Sequence, residues 1–265
     1  MFKQEVGDFA ESLFGANDLD EAFAIFNAET RRLGFEAMLY TYIPKIIIHD
    51  EGALIPVFQV SNISPAYLSH YKEARFDKYD PLIKAVTDGA CDPIEWWGDL
   101  CKSYTSADTK GKEVMEVARD YKINNGVTLP LLSGPQGIAG ASFITEDRLG
   151  FDLLLQEKLP QLQLVTNIYS NLVLANSGYI GQFITPVFAS LNTLEIKFLA
   201  GLAKGKSQAE MATELSRSGK YLEQVMLKIR RKVSGVGEFA KPTINRNQLM
   251  YYVGLANLIE YADSL

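Results

Sequence analysis

One acidic residue in an aromatic setting is the first place in this sequence where side chains could do chemistry. Asp80 is flanked by Tyr79 and Pro81. A buried carboxylate must find hydrogen-bond donors or lose its charge, and aromatic walls offer a ligand apolar area worth about 25 cal/mol per Å². This combination suits a small amphiphile that carries an amide N–H.

Two purely structural interpretations of the same residues stay open. An aspartate directly before a proline is a common start signal of a helix, so Asp80 could be an N-cap. A cluster of aromatic residues is also more often ordinary core than a ligand cage. The cluster concerned here consists of Tyr67, Tyr71, Trp96, Trp97 and Tyr104.

The charge of the chain is unevenly distributed. Its 26 basic and 32 acidic residues give a net charge of -6. Residues 190–265 contain 11 basic and 7 acidic side chains, which leaves 15 and 25 for the remainder. Local positive charge is what phosphate neutralisation requires, so the C-terminal part is a candidate for nucleic-acid contact. Ordinary scatter of surface charge explains the same numbers about equally well.

Two short helices, predicted over 207–216 and 218–233, have the close spacing of a helix-turn-helix. The inward stripe of the second helix is predicted to be Leu222, Val225, Ile229 and Val233. Its other face carries side chains that can reach base edges or phosphates in a major groove, namely Lys220, Glu223, Gln224, Leu227, Lys228 and Arg231. The competing interpretation is a solvated surface whose cations near the C-terminal end interact favourably with the helix dipole.

Hydrophobic periodicity and turn residues predict a mixed architecture for the first 175 residues. Helices are predicted at 4–14, 19–33, 64–75, 106–122 and 151–175, the last with room for an interruption at Pro160. Strands are predicted at 36–48, 53–60, 127–132 and 137–145, with a hairpin turn at 49–52 and an apolar loop at 80–100. The order predicts an α+β fold, an N-terminal α-β-α sandwich with an antiparallel sheet.

The strand pattern does not continue beyond residue 175. Residues 176–190 contain two glycines and a proline and are predicted to be a linker. A small all-α domain with four helices is expected after it, at 191–203, 207–216, 218–233 and 245–262. Capping boxes are predicted at Ser207 with Glu210 and at Asn245 with Gln248. The predicted domains are therefore 1–175 and 191–265, joined by 176–190.

Composition excludes several classes of protein. Hydrophobic residues make up 47% and charged residues 22%, with a mean hydropathy of -0.02, as in folded globular chains. Two cysteines are too few for a disulfide framework and have no zinc-type spacing. No nucleophile–base pair, metal-ligand cluster or phosphate loop is visible, so neither an enzyme nor a cofactor is expected. The N-terminus has no apolar signal segment and polar residues break the uncharged stretch 159–194, so we expect a cytoplasmic protein with no membrane span.

The C-terminal segment resembles the DNA-binding domain of LuxR-type transcriptional regulators. Glu195, Leu199 and Gly205 have the spacing of L-x-x-x-E-x-x-x-L…G-K-S, and 245–259 is similar to the closing helix of that domain. The resemblance covers most of residues 191–262 and implies contact with promoter DNA through Ser207 and the exposed face of the second helix. Departures from the family pattern are Tyr221-Leu222, Val225 and a long loop at 234–243.

The N-terminal part resembles the autoinducer-binding domain of the quorum-sensing members, which bind acyl-homoserine lactones. Tyr71, Asp80, Pro81, Trp96 and Gly126 carry this resemblance. It implies that Asp80 accepts a hydrogen bond from the ligand amide and that Trp96 packs on the lactone ring. It further implies that Tyr71 walls the acyl pocket and that Gly126 allows tight packing. The full set of predicted ligand-binding residues is Tyr40, Phe58, Tyr67, Tyr71, Asp80, Trp96, Gly126 and Phe143.

Three positions depart from the family pattern around this pocket. Tyr67 stands in place of a lactone-contacting tryptophan, Ile63 in place of a tyrosine, and Phe143 where many members have serine or threonine. An unpaired polar ligand atom costs about 1–3 kcal/mol on burial. The resemblance therefore leaves room for an unusual acyl-homoserine lactone, for a different amphiphile, or for a ligand-independent member whose pocket is filled by its own side chains, such as Phe143.

The mechanism implied by the two resemblances is a ligand-controlled homodimer. The dimer would place two recognition helices on the two half-sites of an operator. Its interface is predicted on the uncharged helix through Leu162, Val165, Tyr169 and Leu172, although this helix could instead pack entirely on its own sheet.

Overall fold

The structure is a computed structural model that describes residues 2–48, 55–106, 108–145, 150–256 and 258–263. The chain divides into two compact units. The first contains residues 1–42, 58–134 and 138–180, and the second contains 43–57, 135–137 and 181–265. The predicted turn at 49–52 lies outside the described residues.

A five-stranded sheet forms the centre of the first unit. Its strands are β1 (Ala37–Pro44), β2 (Gln59–Ser61), β3 (Ile94–Glu95), β4 (Gly126–Ser133) and β5 (Gly137–Ile144), in the order β2-β1-β5-β4-β3. The pairs β1–β2, β3–β4 and β4–β5 are antiparallel. The register pairs Val127 with Phe143 and Thr128 with Ser142. Because neighbouring residues of a strand point to opposite sides, these two pairs face opposite layers of the fold.

Helices accompany this sheet along the chain. They are α1 (Phe2–Phe14), α2 (Leu19–Arg32), α4 (Pro65–Glu73), the 3₁₀ turn η1 (Phe76–Lys78), α5 (Pro81–Thr87), α6 (Asp99–Thr105), α7 (Thr109–Asp120) and α8 (Phe151–Ala175). The short helix α3 (Lys45–Ile48) belongs to the second unit. Helices α1, α2 and α8 pack against one another, and α5 packs against α6 and β4. In the first of these layers the rings of Phe26 and Tyr169 stack with their centroids 4.4 Å apart.

Most predicted elements of this unit are confirmed, and four need correction. The strand run 36–48 ends at Pro44, because Ile46 and Ile47 are buried in the short helix α3, which belongs to the second unit and packs on the helix 246–255 of that unit. Of the described residues in the predicted strand 53–60, only the last two lie in a strand, which is β2. Residues 80–100 are not a loop, since they contain α5 and β3, which are too short for their hydrophobic patterns to stand out in the sequence. The helix predicted at 106–122 begins at Thr109, capped by Asp108, and α6 precedes it.

Helix α8 continues through Pro160 without a break. Proline removes one backbone hydrogen bond from a helix interior. Because Pro160 lies on the exposed side of α8, water can satisfy the carbonyl that is freed. The predicted span 151–175 is thus confirmed as one helix of 25 residues.

All regular secondary structure among the described residues after α8 is helical. Its elements are α9 (Ser177–Phe188), α10 (Thr193–Ala203), α11 (Gln208–Glu214), α12 (Gly219–Val233), α13 (Arg246–Leu255) and α14 (Leu258–Asp263). Both predicted capping boxes are present, and Asn192 with Glu195 forms a third. The segment predicted to be a linker contains α9, and the last predicted helix consists of two pieces, α13 and α14.

Candidate ligand-binding site and helix-turn-helix

Asp80 is held at the start of α5 by hydrogen bonds to both carboxylate oxygens. Its Oδ1 accepts from the backbone N–H of Leu82 at 2.8 Å, which makes it the N-cap of the helix, with Pro81 in the first turn. Its Oδ2 accepts from the hydroxyl of Tyr71 on α4 at 2.7 Å. The N-cap interpretation is therefore confirmed, but it uses only one of the two oxygens. The second is engaged in a buried pair with a residue of the predicted site.

Burial dominates the electrostatics of this pair. Desolvation raises the pKa of Asp80, against the opposing effect of the hydrogen bonds from Tyr71, Leu82 and Ile83. The pKa of Tyr71 is raised mainly by burial and further by the charge of Asp80. A carboxylate in this position is stabilised by any further donor that reaches it.

Aromatic rings surround the Tyr71 side of the pair. Phe58, Tyr67 and Phe76 lie with their ring centroids 5.8, 6.0 and 5.9 Å from that of Tyr71. The thiol of Cys101 is buried as well, and burial, with a smaller contribution from the charge of Asp80, raises its pKa to about 12. The structure thus brings Phe58, Tyr67, Tyr71 and Asp80 together.

A second group of predicted residues lies where β3, β4 and β5 meet. The Nε1–H of Trp96 donates to Oγ1 of Thr128 at 2.9 Å, and that hydroxyl is 2.8 Å from Oγ of Ser142. All three residues are buried. Thr128 and Ser142 are hydroxyl residues that the sequence reasoning missed. The alternation of β4 could have identified Thr128, because it follows Gly126 by two positions and shares its face.

Gly126 makes room for the indole of Trp96. A Cβ at this position would lie 2.9 Å from Cδ2 and Cε2 of the Trp96 ring. Real Cβ atoms do not approach a ring this closely, so a side chain here must displace the indole. Gly126 and Trp96 are therefore brought into direct contact.

Replacing Gly126 with alanine is expected to lower the free energy of unfolding by about 1–3 kcal/mol, the usual cost of overpacking a core. Tryptophan fluorescence should shift at the same time, because the chain has only 2 tryptophans, both next to this glycine in the fold. Gly7→Ala in α1, where a Cβ would have nothing within 4 Å, is the matched control and should not be destabilising. Equal stability of both variants would contradict the packing described.

Tyr40 and Phe143 are not brought to this site. The hydroxyl of Tyr40 lies 3.2 Å from Oγ of Ser170 on α8, and Phe143 packs edge-on against Phe26 of α2. Both belong to the layer formed by α2 and α8, on the side of the sheet opposite to Thr128 and Ser142. The expectation that Tyr40 and Phe143 line the pocket is corrected accordingly. Ser142, one position earlier in β5, lies on the same side as Thr128 and Trp96.

The second candidate region is the helix pair α11 and α12. Ser207 caps α11 and accepts from the N–H of Glu210, while Nε2 of Gln208 donates to the carbonyl of Gly219 at 3.1 Å. All four residues of the predicted inward stripe of α12 are buried. On the other face Lys220, Glu223, Gln224 and Lys228 are exposed, and Leu227 and Arg231 are partly buried. The Nε–H of Arg231 donates to the carbonyl of Ala240, so this side chain also braces the loop 234–243.

A buried carboxylate connects α10 to α12. Glu195 is only 2% exposed and accepts from the backbone N–H of Asn192 at 2.8 Å. Its Oε2 also accepts from Nζ of Lys232 at 2.7 Å, and Nζ of Lys228 lies 3.9 Å from Oε1. Two of the cations at the end of α12 are thereby oriented by one acid.

Glu195→Ala is expected to lower the free energy of unfolding by about 2–3 kcal/mol, because it leaves the Lys232 ammonium and the Asn192 N–H without their buried acceptor. Glu195→Gln keeps an acceptor for the amide and should lose less. Glu210→Ala removes the equivalent member of an exposed capping box and should have a smaller effect than Glu195→Ala. Urea denaturation measures the free energy of unfolding of each variant. A larger loss in Glu210→Ala than in Glu195→Ala would contradict the prediction.

The stripe of α8 predicted as a dimer interface is buried inside its own unit. Leu162, Val165 and Tyr169 are at most 1% exposed, and Tyr169 stacks on Phe26. Only Leu172 is partly accessible. The alternative left open by the sequence, that this face packs within the chain, is therefore correct, and the predicted dimer face is wrong.

Neither a metal site nor a membrane-spanning helix is evident among the described residues. Groups of three or more His, Cys, Asp or Glu residues able to hold a metal ion are not found there. No single described helix is long and apolar enough to cross a membrane. Helices α9 and α10, which are bent by 114° relative to each other, together have the length and composition of a span, and only these two properties support it.

Comparison with known proteins gives one family match and several relatives. Residues 18–171 match the family described as autoinducer binding domain. The transcriptional activator protein VanR of Vibrio anguillarum is 26% identical over 204 residues, which is 75% of this chain and 78% of VanR. The crystal structure of Escherichia coli SdiA has a TM-score of 0.58 at 17% identity, covering 98% of this chain and 99% of SdiA. SdiA in complex with octanoyl-rac-glycerol has a TM-score of 0.55 at 17% identity, covering 97% and 96%.

Proposed function

The chain belongs to the autoinducer-binding family of LuxR-type quorum-sensing transcription regulators, and we propose that it binds an acyl-homoserine lactone beside Asp80 and promoter DNA through α12 as a homodimer. The proposed ligand-binding domain comprises residues 1–175 and the proposed DNA-binding domain residues 191–265, with 176–190 connecting them. Proteins of this family regulate transcription and are not enzymes.

The buried pair of Tyr71 and Asp80 is the observation that supports the ligand site most strongly. Oδ2 of Asp80 accepts a hydrogen bond from the hydroxyl of Tyr71. A ligand amide N–H donating to the same carboxylate adds a further donor to a charge that burial destabilises. An acyl-homoserine lactone carries one such amide.

The remaining atoms of the ligand find matching groups nearby. The rings of Phe58 and Tyr67 offer apolar surface to an acyl chain. Thr128 and Ser142 share one hydrogen bond, which leaves one hydroxyl proton of the pair to donate to a ligand carbonyl next to the indole of Trp96. The lactone end is therefore assigned to the side of Trp96 and the acyl chain to the side of Tyr67.

A second ligand class is favoured by the departures at Ile63 and Tyr67. Both change the donors available to a lactone and an amide carbonyl. SdiA, which shares the fold, has been solved with octanoyl-rac-glycerol. An acylglycerol has hydroxyl groups that can donate to Asp80 in place of an amide, so it is the alternative ligand.

The DNA-binding assignment is supported by exposed polar side chains on a helix-turn-helix. Lys220, Gln224 and Lys228 project from one face of α12 and are exposed. Glutamine and lysine read base edges in a major groove and lysine also neutralises phosphates. A homodimer would present two copies of α12 to two half-sites of an operator.

Thermal unfolding with a ligand panel tests the proposal. The panel contains acyl-homoserine lactones of increasing chain length and 1-octanoyl-glycerol. A ligand that binds only the folded state must raise the midpoint of unfolding. The class that raises it most at equal concentration is the preferred one, and no shift with any member would refute the ligand site.

Light scattering and DNA binding test the remaining parts. With the preferred ligand, the mass should be that of a dimer, and binding to an operator selected from random duplexes should tighten. A protein that remains a monomer even on operator DNA would contradict the homodimer. Binding without preference for any duplex would contradict the regulator.

A further inference from the structure

Arg217 and Tyr221 form an exposed pair at the start of helix α12. The guanidinium of Arg217 lies over the ring of Tyr221, 5.6 Å from its centroid. Both side chains are exposed, that of Tyr221 by 42%. Because a cation is attracted to the face of an aromatic ring, this contact favours one orientation of the guanidinium. Neither residue belongs to the DNA-contacting set that the sequence predicts.

The turn between α11 and α12 fixes the backbone of this pair. Ser216 has a φ of 52°, in the left-handed region. The N–H of Arg217 donates to the carbonyl of Ala212 in α11 at 2.9 Å. Ser218 then caps α12, since its hydroxyl accepts from the N–H of Tyr221 at 3.2 Å. The turn therefore places Arg217 directly before the helix, where its side chain reaches the ring of Tyr221.

The hydrogen-bond donors of Arg217 are not used within the described part of the chain. Arg230 and Arg231 at the other end of α12 each donate an Nε–H to a backbone carbonyl. No described residue accepts a hydrogen bond from the guanidinium of Arg217 or forms an ion pair with it. Stacking on a ring occupies the face of a guanidinium, whereas its N–H donors lie in the plane. Arg217 thus presents a hydrogen-bonding edge to the solvent.

The pair continues the face of α12 that carries Gln224 and Lys228. These two residues follow Tyr221 by three and seven positions, and residues at this spacing share one face of a helix. All three side chains are exposed. In a helix-turn-helix the residues near the start of the second helix contact base edges. Arg217, on the ring of Tyr221, therefore lies at the end of the face where base contacts are expected.

The acidic residues closest to the pair in sequence do not neutralise it. Glu214 of α11 pairs with Lys206. Glu223 lies about 160° around the helix from Tyr221, at the opposite edge of the exposed surface of α12. The edge at Arg217 is consequently cationic, which suits a groove bordered by phosphates.

We propose that Arg217 recognises a guanine in each half-site of the operator and that the ring of Tyr221 positions its guanidinium. The planar fork of an arginine matches O6 and N7 of guanine in the major groove. Tyr221 departs from the family pattern, so this device is particular to the chain. The inference rests on the proposed function of α12 as the recognition helix. A phosphate also accepts from an arginine but carries no sequence information, and the test separates the two roles.

The test selects duplexes from a random pool with the full-length protein, in the presence of N-octanoyl-homoserine lactone and, separately, of 1-octanoyl-glycerol. The selected operator should contain a guanine in each half-site that Arg217→Ala no longer selects. Fluorescence anisotropy then compares two duplexes that differ only in this base pair. Replacing the guanine with adenine should weaken binding of the parent about tenfold and leave the affinity of Arg217→Ala unchanged.

Variants of Tyr221 test the role of the ring. Tyr221→Phe keeps the ring beneath Arg217 and should keep the guanine preference. Tyr221→Leu removes the ring and should lower the preference about threefold. Arg246→Ala, which removes an exposed arginine of α13, is the charge control and should keep the guanine preference of the parent. Circular dichroism verifies that each variant is folded.

Four outcomes would overturn the inference, and they distinguish it from the proposed function. If Arg217→Ala selects the parent's operator while the double variant Gln224→Ala, Lys228→Ala does not, Arg217 does not recognise a base, but α12 still does. An equal loss of affinity on every duplex, with a weaker salt dependence, would identify a phosphate contact. Equal loss of the preference in Tyr221→Phe and Tyr221→Leu would contradict the role of the ring. A parent that prefers no duplex would refute the regulator itself, and this inference with it.

Discussion

Asp80→Asn is expected to weaken binding of the preferred acyl-homoserine lactone by about 10- to 100-fold, the value of a charge-assisted hydrogen bond that becomes a neutral one. The side chain keeps its size, and its oxygen can still accept from the Leu82 N–H at the start of α5. The variant should therefore fold, and titration calorimetry should show the loss as a change in affinity alone.

The stability of the ligand-free variant provides the control. Since desolvation raises the pKa of Asp80, its charge is a cost to the folded state, and Asp80→Asn should be more stable than the parent at pH 7. Asp8→Asn removes an exposed charge on α1 and should change neither affinity nor stability. If Asp80→Asn bound the lactone like the parent, the carboxylate would not be the acceptor of the ligand amide.

The pH dependence of the free energy of unfolding also reports the raised pKa of Asp80, and the direction of the change is determined. The folded state holds the Asp80 proton to a higher pH than the unfolded state, whose carboxyl titrates near 3.8. The free energy of unfolding contributed by this group therefore falls as the pH rises from about 3.8 through the raised folded pKa, and is constant above it. The difference between Asp80→Asn and the parent should grow over that window and then level off.

The double variant Gln224→Ala, Lys228→Ala is expected to lose about 100-fold in operator affinity. Each side chain that reads a base edge contributes about 1–3 kcal/mol, and about 1.4 kcal/mol corresponds to a tenfold change. Both residues are exposed on α12, so the fold should be unaffected. Fluorescence anisotropy on a selected operator and on a random duplex separates lost specificity from lost charge.

The control for charge is Lys204→Ala. This lysine pairs with Asp263 and caps the C-terminal end of α10, away from the recognition helix. It removes the same charge as Lys228→Ala but should leave operator affinity near that of the parent. Unchanged affinity of the double variant would show that another face of the domain contacts DNA.

Local sequence patterns were sufficient to predict most helices and the strands β4 and β5. In α12 the apolar positions repeat with the period of a helix, and all four predicted residues are buried. Capping boxes need only two side chains three residues apart, so they were predicted correctly at Ser207 and Asn245. The N-cap role of Asp80 is predictable for the same reason, because its Oδ1 accepts from a backbone N–H only two residues further along the chain.

The sequence could not determine which side of the sheet a strand residue faces. The pairing of Thr128 with Ser142 puts Ser142 on the Trp96 side and Phe143 on the α2 side. A shift of the strand register by one residue would put Phe143 on the Trp96 side and Ser142 on the α2 side, because side chains alternate along a strand. Likewise, the hydroxyl of Tyr71 reaches Asp80 only because η1 turns the chain between α4 and α5.

Residue types by themselves determined the family resemblance, the positions of the helix caps and the amphipathic face of α12, because each depends on neighbours within a few positions of the chain. Tertiary structure decided what covers an apolar face. The stripe of Leu162, Val165 and Tyr169 on α8 has the same pattern whether it packs on its own sheet or on a second copy. Its burial against α2 settled the choice, since packing between residues more than a hundred positions apart leaves no local signal in the sequence.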